Sequence, residues 1–210
     1  MGNIQKIGLF GGTFAPPHIG HIHAVWAILE HTELDRVIVM PAFMPPHKVK
    51  AKGDTPESRL EMCRAAFMIP GMERVEVSDF EIMKGGLSYT VLTLEHLAAD
   101  DRRLYLICGT DMFLTLPNWY RSDRIFELAD IICIPRTNDA AENERIERTA
   151  EEYREKYDTG VRIIFDQPID ISSTEIRRRI DGGEDYSELV PASVREIIKR
   201  EGLYAEKSNT

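Results

Sequence analysis

Apolar residues fall along this chain in short runs, separated by longer stretches in which they recur every three or four positions. The runs at 7–10, 37–40, 75–77, 104–108, 131–134 and 161–165 read as continuous Val/Ile/Leu segments, the pattern of strands buried on both faces. Helical periodicity predicts helices over 22–30, 56–67, 90–99 and 140–157, then two more over 174–181 and 191–201. Thr55 is placed to cap the second helix with Pro56 at its first position, and Gly202 to cap the last. Strands alternating with helices predict an α/β fold. It is a Rossmann-like, doubly wound parallel sheet with helices on both faces and a small C-terminal helical segment. No repeat or flexible linker interrupts the chain, so one domain is expected over 1–210, its C-terminal helical part at about 171–205. The segment 137–160, dense in Glu and Arg, reads as a solvated surface helix with i,i+4 ion pairs.

Charge narrows the partners. The net charge is −9, which argues against a nonspecific nucleic-acid binder with a basic face. Phosphates can still be held if a few cations and backbone amides gather in one place. Cys63, Cys108 and Cys133 form no Cys-x-x-Cys pair and sit in apolar runs, as buried free thiols of a reducing compartment do. No apolar run is long enough for a bilayer span. The N-terminal residues lack a signal-peptide profile, and Lys6 breaks the myristoylation pattern. The expectation is a cytoplasmic protein without nucleic-acid or membrane partners. The sequence leaves the oligomeric state open, a homodimer among the options.

Two segments carry candidate chemistry. The first is Gly11-Gly12-Thr13-Phe14-Ala15-Pro16-Pro17-His18-Ile19-Gly20-His21, directly after the first strand. Ligands of such sheets bind outside the carboxyl ends of the strands. Gly11 and Gly12 would let backbone amides approach a ligand without a Cβ in the way. His18 and His21 stand at a helix start, where both can face one point and the helix end adds unpaired N–H groups. Two imidazoles and those amides would suit a polyphosphate. A zinc site is a weaker rival, since no third ligand follows at a familiar spacing. The second segment is Ile171-Ser172-Ser173-Thr174-Glu175-Ile176-Arg177. Ser172 or Ser173 can cap a helix, and Arg177 one turn later can fork onto phosphate oxygens, while Arg178 and Arg179 turn to other faces. No G-x-G-x-x-G or G-x-x-x-x-G-K-[ST] is present, which lowers the dehydrogenase and P-loop readings.

The first segment resembles the (H/T)xGH signature of the nucleotidyltransferase superfamily, and the second its ISSTxxR motif. The match is closest to the bacterial nicotinate mononucleotide adenylyltransferase family and spans Lys6 to about Tyr204. The resemblance implies adenylyl transfer from ATP to nicotinate mononucleotide, with Mg²⁺ carried mainly by the ATP phosphates and no protein metal site. It implies that His18, His21, Lys48 and Arg177 act on the phosphates. ATP contacts fall to Gly11, Gly12, Thr13, Phe14, Gly109, Asp111, Ile171, Ser172, Ser173 and Thr174. The acceptor nucleotide falls to Lys48, Ser88, Tyr89, Thr90, Trp119, Tyr120 and Arg136, with Trp119 stacking on the pyridine ring. On their own residues, Ser88 also reads as a helix cap and Asp111 as a helix N-cap. The chain departs from the family at Ala15, where Asp is usual, losing a carboxylate that could brace the turn. It departs again after Arg136, where Thr137-Asn138 replaces Pro-Gly. Two rivals follow from the same motifs: another adenylyl- or cytidylyltransferase such as phosphopantetheine adenylyltransferase, and a nucleotide-sensing module without chemistry. His18-Ile19-Gly20-His21 also spells the class I aminoacyl-tRNA synthetase signature, but no Lys-Met-Ser-Lys-Ser loop accompanies it.

Overall fold

A computed structural model describes residues 4–46, 53–135, 137, 139–167 and 169–205. The six predicted strands form as β1 Gln5–Gly12, β2 Arg36–Pro41, β3 Val75–Val77, β4 Arg102–Gly109, β5 Ala129–Ile134 and β6 Val161–Ile163. Their order in the sheet is β3-β2-β1-β4-β5-β6. This is the doubly wound order, reversing between β1 and β4. β1, β4, β5 and β6 pair in parallel, with Leu9 beside Leu106 and Cys108 beside Cys133.

The predicted helices form as α1 Ile19–His31, α2 Pro56–Phe67, α4 Thr90–Leu97, α7 Ala140–Tyr157, α8 Ser173–Asp181 and α9 Ala192–Glu201. Three further short helices form: α3 Phe80–Lys84, α5 Thr110–Thr115, of which Asp111 as an N-cap was the one sign, and α6 Ser122–Leu128. At five to seven residues they complete no apolar repeat, and none has a side-chain cap. The α2 start follows its sequence signal. The Thr55 hydroxyl accepts from the Ser58 amide at 3.1 Å, and the Ser58 hydroxyl accepts from the Thr55 amide at 3.0 Å. Gly202 ends α9 in the left-handed region, φ 60°. α7 is more than a solvated helix: Ile146, Ala150 and Tyr153 are buried along one stripe, and Tyr153 donates to the Phe113 carbonyl at 2.6 Å. The Arg154–Glu151 ion pair within it spans three residues rather than four.

The chain divides into two compact units. The first comprises Met1–Gly11, Ala24–Ile38 and Tyr89–Asp170, and its core lies on both faces of β1, β4 and β5, with Ile7, Ile107, Cys108 and Ile131 fully buried. Each such side chain contributes about 1.5–3 kcal/mol of burial. Burial pushes the Cys108 thiol up, and the Cys133 thiol up to about 12, so both stay neutral. The second unit comprises Gly12–His23, Val39–Ser88 and Ile171–Thr210. Here α9 lies on α2: Ser193 donates to the Ala65 carbonyl at 2.9 Å and Arg200 pairs with Glu61 at 2.7 Å. The C-terminal segment thus belongs to this unit rather than standing apart. Among the described residues, no helix is long and apolar enough to cross a membrane.

The reciprocal cap of α2 gives a first prediction. Thr55→Ala is expected to cost about 1 kcal/mol, read as a lower urea midpoint at unchanged slope. An unmoved midpoint would show that the helix start does not depend on the box.

Candidate active site

The loop after β1 is held by its own backbone carbonyls. Arg177 Nη1 donates to the Ala15 carbonyl at 2.7 Å, and Ser173 Oγ donates to the Pro16 carbonyl at 2.9 Å. The partners lie 162 and 157 residues apart in sequence, so the two predicted segments meet within the second unit. From α2, Arg59 Nη1 donates to the Thr13 carbonyl at 3.1 Å. Between these holds, Phe14 takes a left-handed backbone, φ 50°, and the Ala15–Pro16 peptide is cis. For a residue with a Cβ, the left-handed region costs on the order of 1–2 kcal/mol and persists where the surroundings fix it. The Phe14 ring fills the space beside Gly12, where a Cβ would come within 2.9 Å of the ring. It also meets Phe67 and His21 edge-on, centroids 6.0 and 5.0 Å apart. A Cβ on Gly11, by contrast, would meet nothing within 4 Å, which keeps a ligand's approach open there.

The two imidazoles are stacked, centroids 3.6 Å apart and planes 29° apart. His18 is buried at 4% exposure, and His21 in front of it is half-buried. The His18 amide donates to His21 Nδ1 at 3.2 Å, so neutral His21 carries its proton on Nε2, at the far side of the ring. One expectation is corrected here. Three of the first four amides of α1 are spent within the protein: Ile19 donates to the Leu189 carbonyl, and His21 and Ile22 donate to the His18 carbonyl. Amides in so enclosed a loop must be paired, and nearby carbonyls pair them. The imidazole edge, rather than the helix end, is what the loop presents.

At the start of α8, Ser172 is the cap, accepting from the Glu175 amide at 3.1 Å, which leaves Ser173 to hold the first loop. Thr174 Oγ1 accepts from Arg177 Nη2 at 3.1 Å, and Ile171 precedes the cap, half-buried. Arg177 therefore spends one N–H of each terminal nitrogen on these bonds, out of five. Arg178 and Arg179 do turn away: Arg178 and then Arg179 clamp Glu175, holding its carboxyl down to about 2.

Several predicted residues belong to the first unit. Gly109 ends β4 and itself caps α5, so Asp111 is an exposed second residue of that helix rather than its N-cap. α5 begins directly at the strand end, two residues earlier than a cap at Asp111 requires. Tyr89 occupies the N-cap position of α4 and Thr90 its first turn. Ser88, in the second unit, is not that cap. Its hydroxyl accepts from the Phe43 amide and its amide donates to the Met44 carbonyl, both at 2.9 Å, which uses it to fix residues 43 and 44. The Tyr89 and Tyr120 rings meet at 4.5 Å, and Arg121 forks onto Glu95 at 2.9 and 3.3 Å. These contacts bring the half-buried Trp119 segment to the start of α4. Lys48 and Arg136 lie outside the described residues.

The sequence reading missed Arg59. Its signal was periodicity: Arg59, Met62, Cys63, Ala66 and Phe67 share the buried stripe of α2, so a cation stands where an apolar residue is expected. Among the described residues, no group of three or more His, Cys, Asp or Glu side chains could hold a metal.

Residues 9–179 match the model of the cytidylyltransferase-like family, which sets the class as a nucleotidyltransferase. The chain is 38% identical, over 95% of its length, to the whole of a Desulfatibacillum aliphaticivorans protein named "Probable nicotinate-nucleotide adenylyltransferase". It is 38% identical, over 96% of its length, to the whole of a Caldicellulosiruptor saccharolyticus protein of the same name. The chain belongs to this family of nicotinate-nucleotide adenylyltransferases. Its fold is that of the Plasmodium falciparum nicotinic acid mononucleotide adenylyltransferase, solved in complex with APC and with NaAD. The TM-scores are 0.72 and 0.70 at 16% identity, covering 95% of this chain and 97% of that one.

The two glycines separate by experiment. Gly12→Ala is expected to cost about 1–3 kcal/mol in chemical denaturation, because the Phe14 ring must move. Gly11→Ala should stay within about 0.5 kcal/mol of the parent. Equal effects would contradict the packing of Phe14 beside Gly12.

Proposed function

We propose that this chain transfers the adenylyl group of ATP to nicotinate mononucleotide, giving nicotinate adenine dinucleotide and pyrophosphate, a step of NAD biosynthesis. The observation that carries the reading is the meeting of the two motif segments, Ser173 and Arg177 on the Pro16 and Ala15 carbonyls beside the stacked His18–His21 pair. Near-full-length relatives bearing the adenylyltransferase name support the substrate assignment.

In this reading the acceptor's phosphate, already ionised at neutral pH, attacks the α-phosphorus in line with departing pyrophosphate. No general base and no protein nucleophile is needed, so catalysis rests on alignment and on stabilising the charge that builds on the leaving group. His21 supplies an Nε2 donor to those oxygens, with His18 stacked behind it. Arg177 adds the donors its loop bonds leave over. Lys48 joins them on the strength of the sequence motif. Gly11, Gly12, Thr13, Phe14, Gly109, Asp111 and 171–174 are assigned to ATP. Trp119 is assigned to the pyridine ring, with Ser88, Tyr89, Thr90, Tyr120 and Arg136 around the acceptor nucleotide. Mg²⁺ would neutralise phosphate charge while held mainly by phosphate and water oxygens, since it needs few protein ligands. The buried free thiols support a reducing, cytoplasmic setting.

The Ala15 departure does not weaken the reading. The turn is braced through the Ala15 carbonyl, which any residue would supply, and the Ala15 side chain is itself buried.

The deciding assay incubates pure protein with ATP, Mg²⁺ and the acid or amide mononucleotide, and with phosphopantetheine as a third acceptor. Dinucleotide and pyrophosphate should appear with nicotinate mononucleotide. Product from phosphopantetheine alone would move the chain to the rival enzyme, and no product from any acceptor would favour a sensing role. His21→Ala should lower kcat by on the order of 10²-fold with the fold intact. Turnover near the parent's would remove His21 from the phosphate role. Trp119→Ala should raise the acceptor KM and leave ATP affinity unchanged, whereas an unaltered acceptor KM would reject the stacking assignment.

A further inference from the structure

We infer that Arg59 is a positioning residue: it fixes the backbone of Phe14 and so the seat of the His21 imidazole. The inference rests on the phosphate role proposed for His21.

Arg59 lies on the buried stripe of α2 at 4% exposure. Its guanidinium meets three backbone carbonyls, Thr13 at 3.1 Å, Phe43 at 3.0 Å, and Ala42. Asp54 faces it with Oδ1 3.7 Å from Nε, both side chains 5% exposed, and Asp54 in turn accepts from the Tyr204 hydroxyl at 3.2 Å. Thr13 belongs to the loop after β1, and Ala42 and Phe43 to the loop after β2. A planar fork with five donors spans carbonyls from two loops, which a single ammonium cannot do.

A buried helix face gains little net stability from a cation at such a site, because desolvation offsets much of the pairing. What the guanidinium adds is direction. The Thr13 carbonyl and the Phe14 amide share one rigid peptide plane, so holding the carbonyl holds the side of Phe14 from which its φ of 50° is set. Arg177 holds the Ala15 carbonyl, in the peptide unit one residue further along. The Phe14 ring, between these two holds, is the wall against which His21 rests at 5.0 Å. Arg59 itself touches no reacting atom. It acts through Thr13 and Phe14.

The test compares Arg59→Lys, which keeps the charge and loses the fork, with Arg64→Lys on the exposed side of the same helix. Stability, kcat and KM for each substrate, and the carbon-bound proton resonance of the His21 ring are measured on folded protein. Arg59→Lys should lower kcat by about 10- to 100-fold, the scale of a small misplacement of a catalytic group, and leave both KM values within about twofold. The His21 resonance should shift, because the Phe14 ring current acts on it, and Arg64→Lys should change neither. If Arg59→Lys does not fold, Asp54→Asn replaces it, with the same resonance expected to move and kcat to fall less. A folded variant with an unmoved His21 resonance and kcat within about twofold of the parent overturns the inference, whatever its melting temperature. If the parent makes no dinucleotide, the proposed activity fails, while the His21 resonance still decides whether Arg59 seats that ring.

Discussion

The constraint on which the site depends is the pairing of three carbonyls in one loop. Thr13, Ala15 and Pro16 sit in the turn between β1 and α1, where the chain must reverse direction with little water to satisfy its backbone. Arg59, Arg177 and Ser173 supply the missing donors. Each bond is modest by itself, on the order of 1 kcal/mol net for a neutral donor and somewhat more from a guanidinium. Their joint effect is positional: they leave the peptide planes around Phe14 little freedom, and the left-handed Phe14 then places its ring between Gly12, Phe67 and His21. The second motif therefore does two jobs with one set of side chains. Ser173 and Arg177 build the first loop, and in the proposed reading Arg177 also keeps donors for an anion.

That double use bears on Ala15, which stands where Asp is usual in the family. Here the brace comes from α8 and α2 and reaches backbone, so it is indifferent to the side chain at 15. A buried alanine is the cheapest filler for such a position, since a carboxylate there would have to be desolvated beside its partner.

Most of the fold was legible because its signals were long or redundant. Six apolar runs became six strands, and the Thr55-Pro56 start gave α2 its boundary to the residue. The end of β6 was overestimated: Phe165 is 46% exposed and lies past the strand. The short helices α3, α5 and α6 left no periodic trace, and α5 and α6 start from a glycine and a left-handed Arg121 rather than a side-chain cap. That the two motif segments meet was legible from residue types, but their bonding was not. Which of Ser172 and Ser173 caps and which braces depends on the helix phase. Whether the α1 amides are spent depends on Leu189, far away in sequence.

Arg59 is the instructive omission. A cation on an apolar stripe is costly to bury, and a sequence keeps it there when something buried needs several donors in one plane. The stripe of α2 is written in the sequence by the spacing of residues 59, 62, 63, 66 and 67, and Asp54 stands one turn before it as the countercharge. Three carbonyls from two strand-end loops are what that cation serves. A helix that carries no motif residue thus shapes the motif loop, and the chemistry assigned to His21 is set in part from the hydrophobic side of α2.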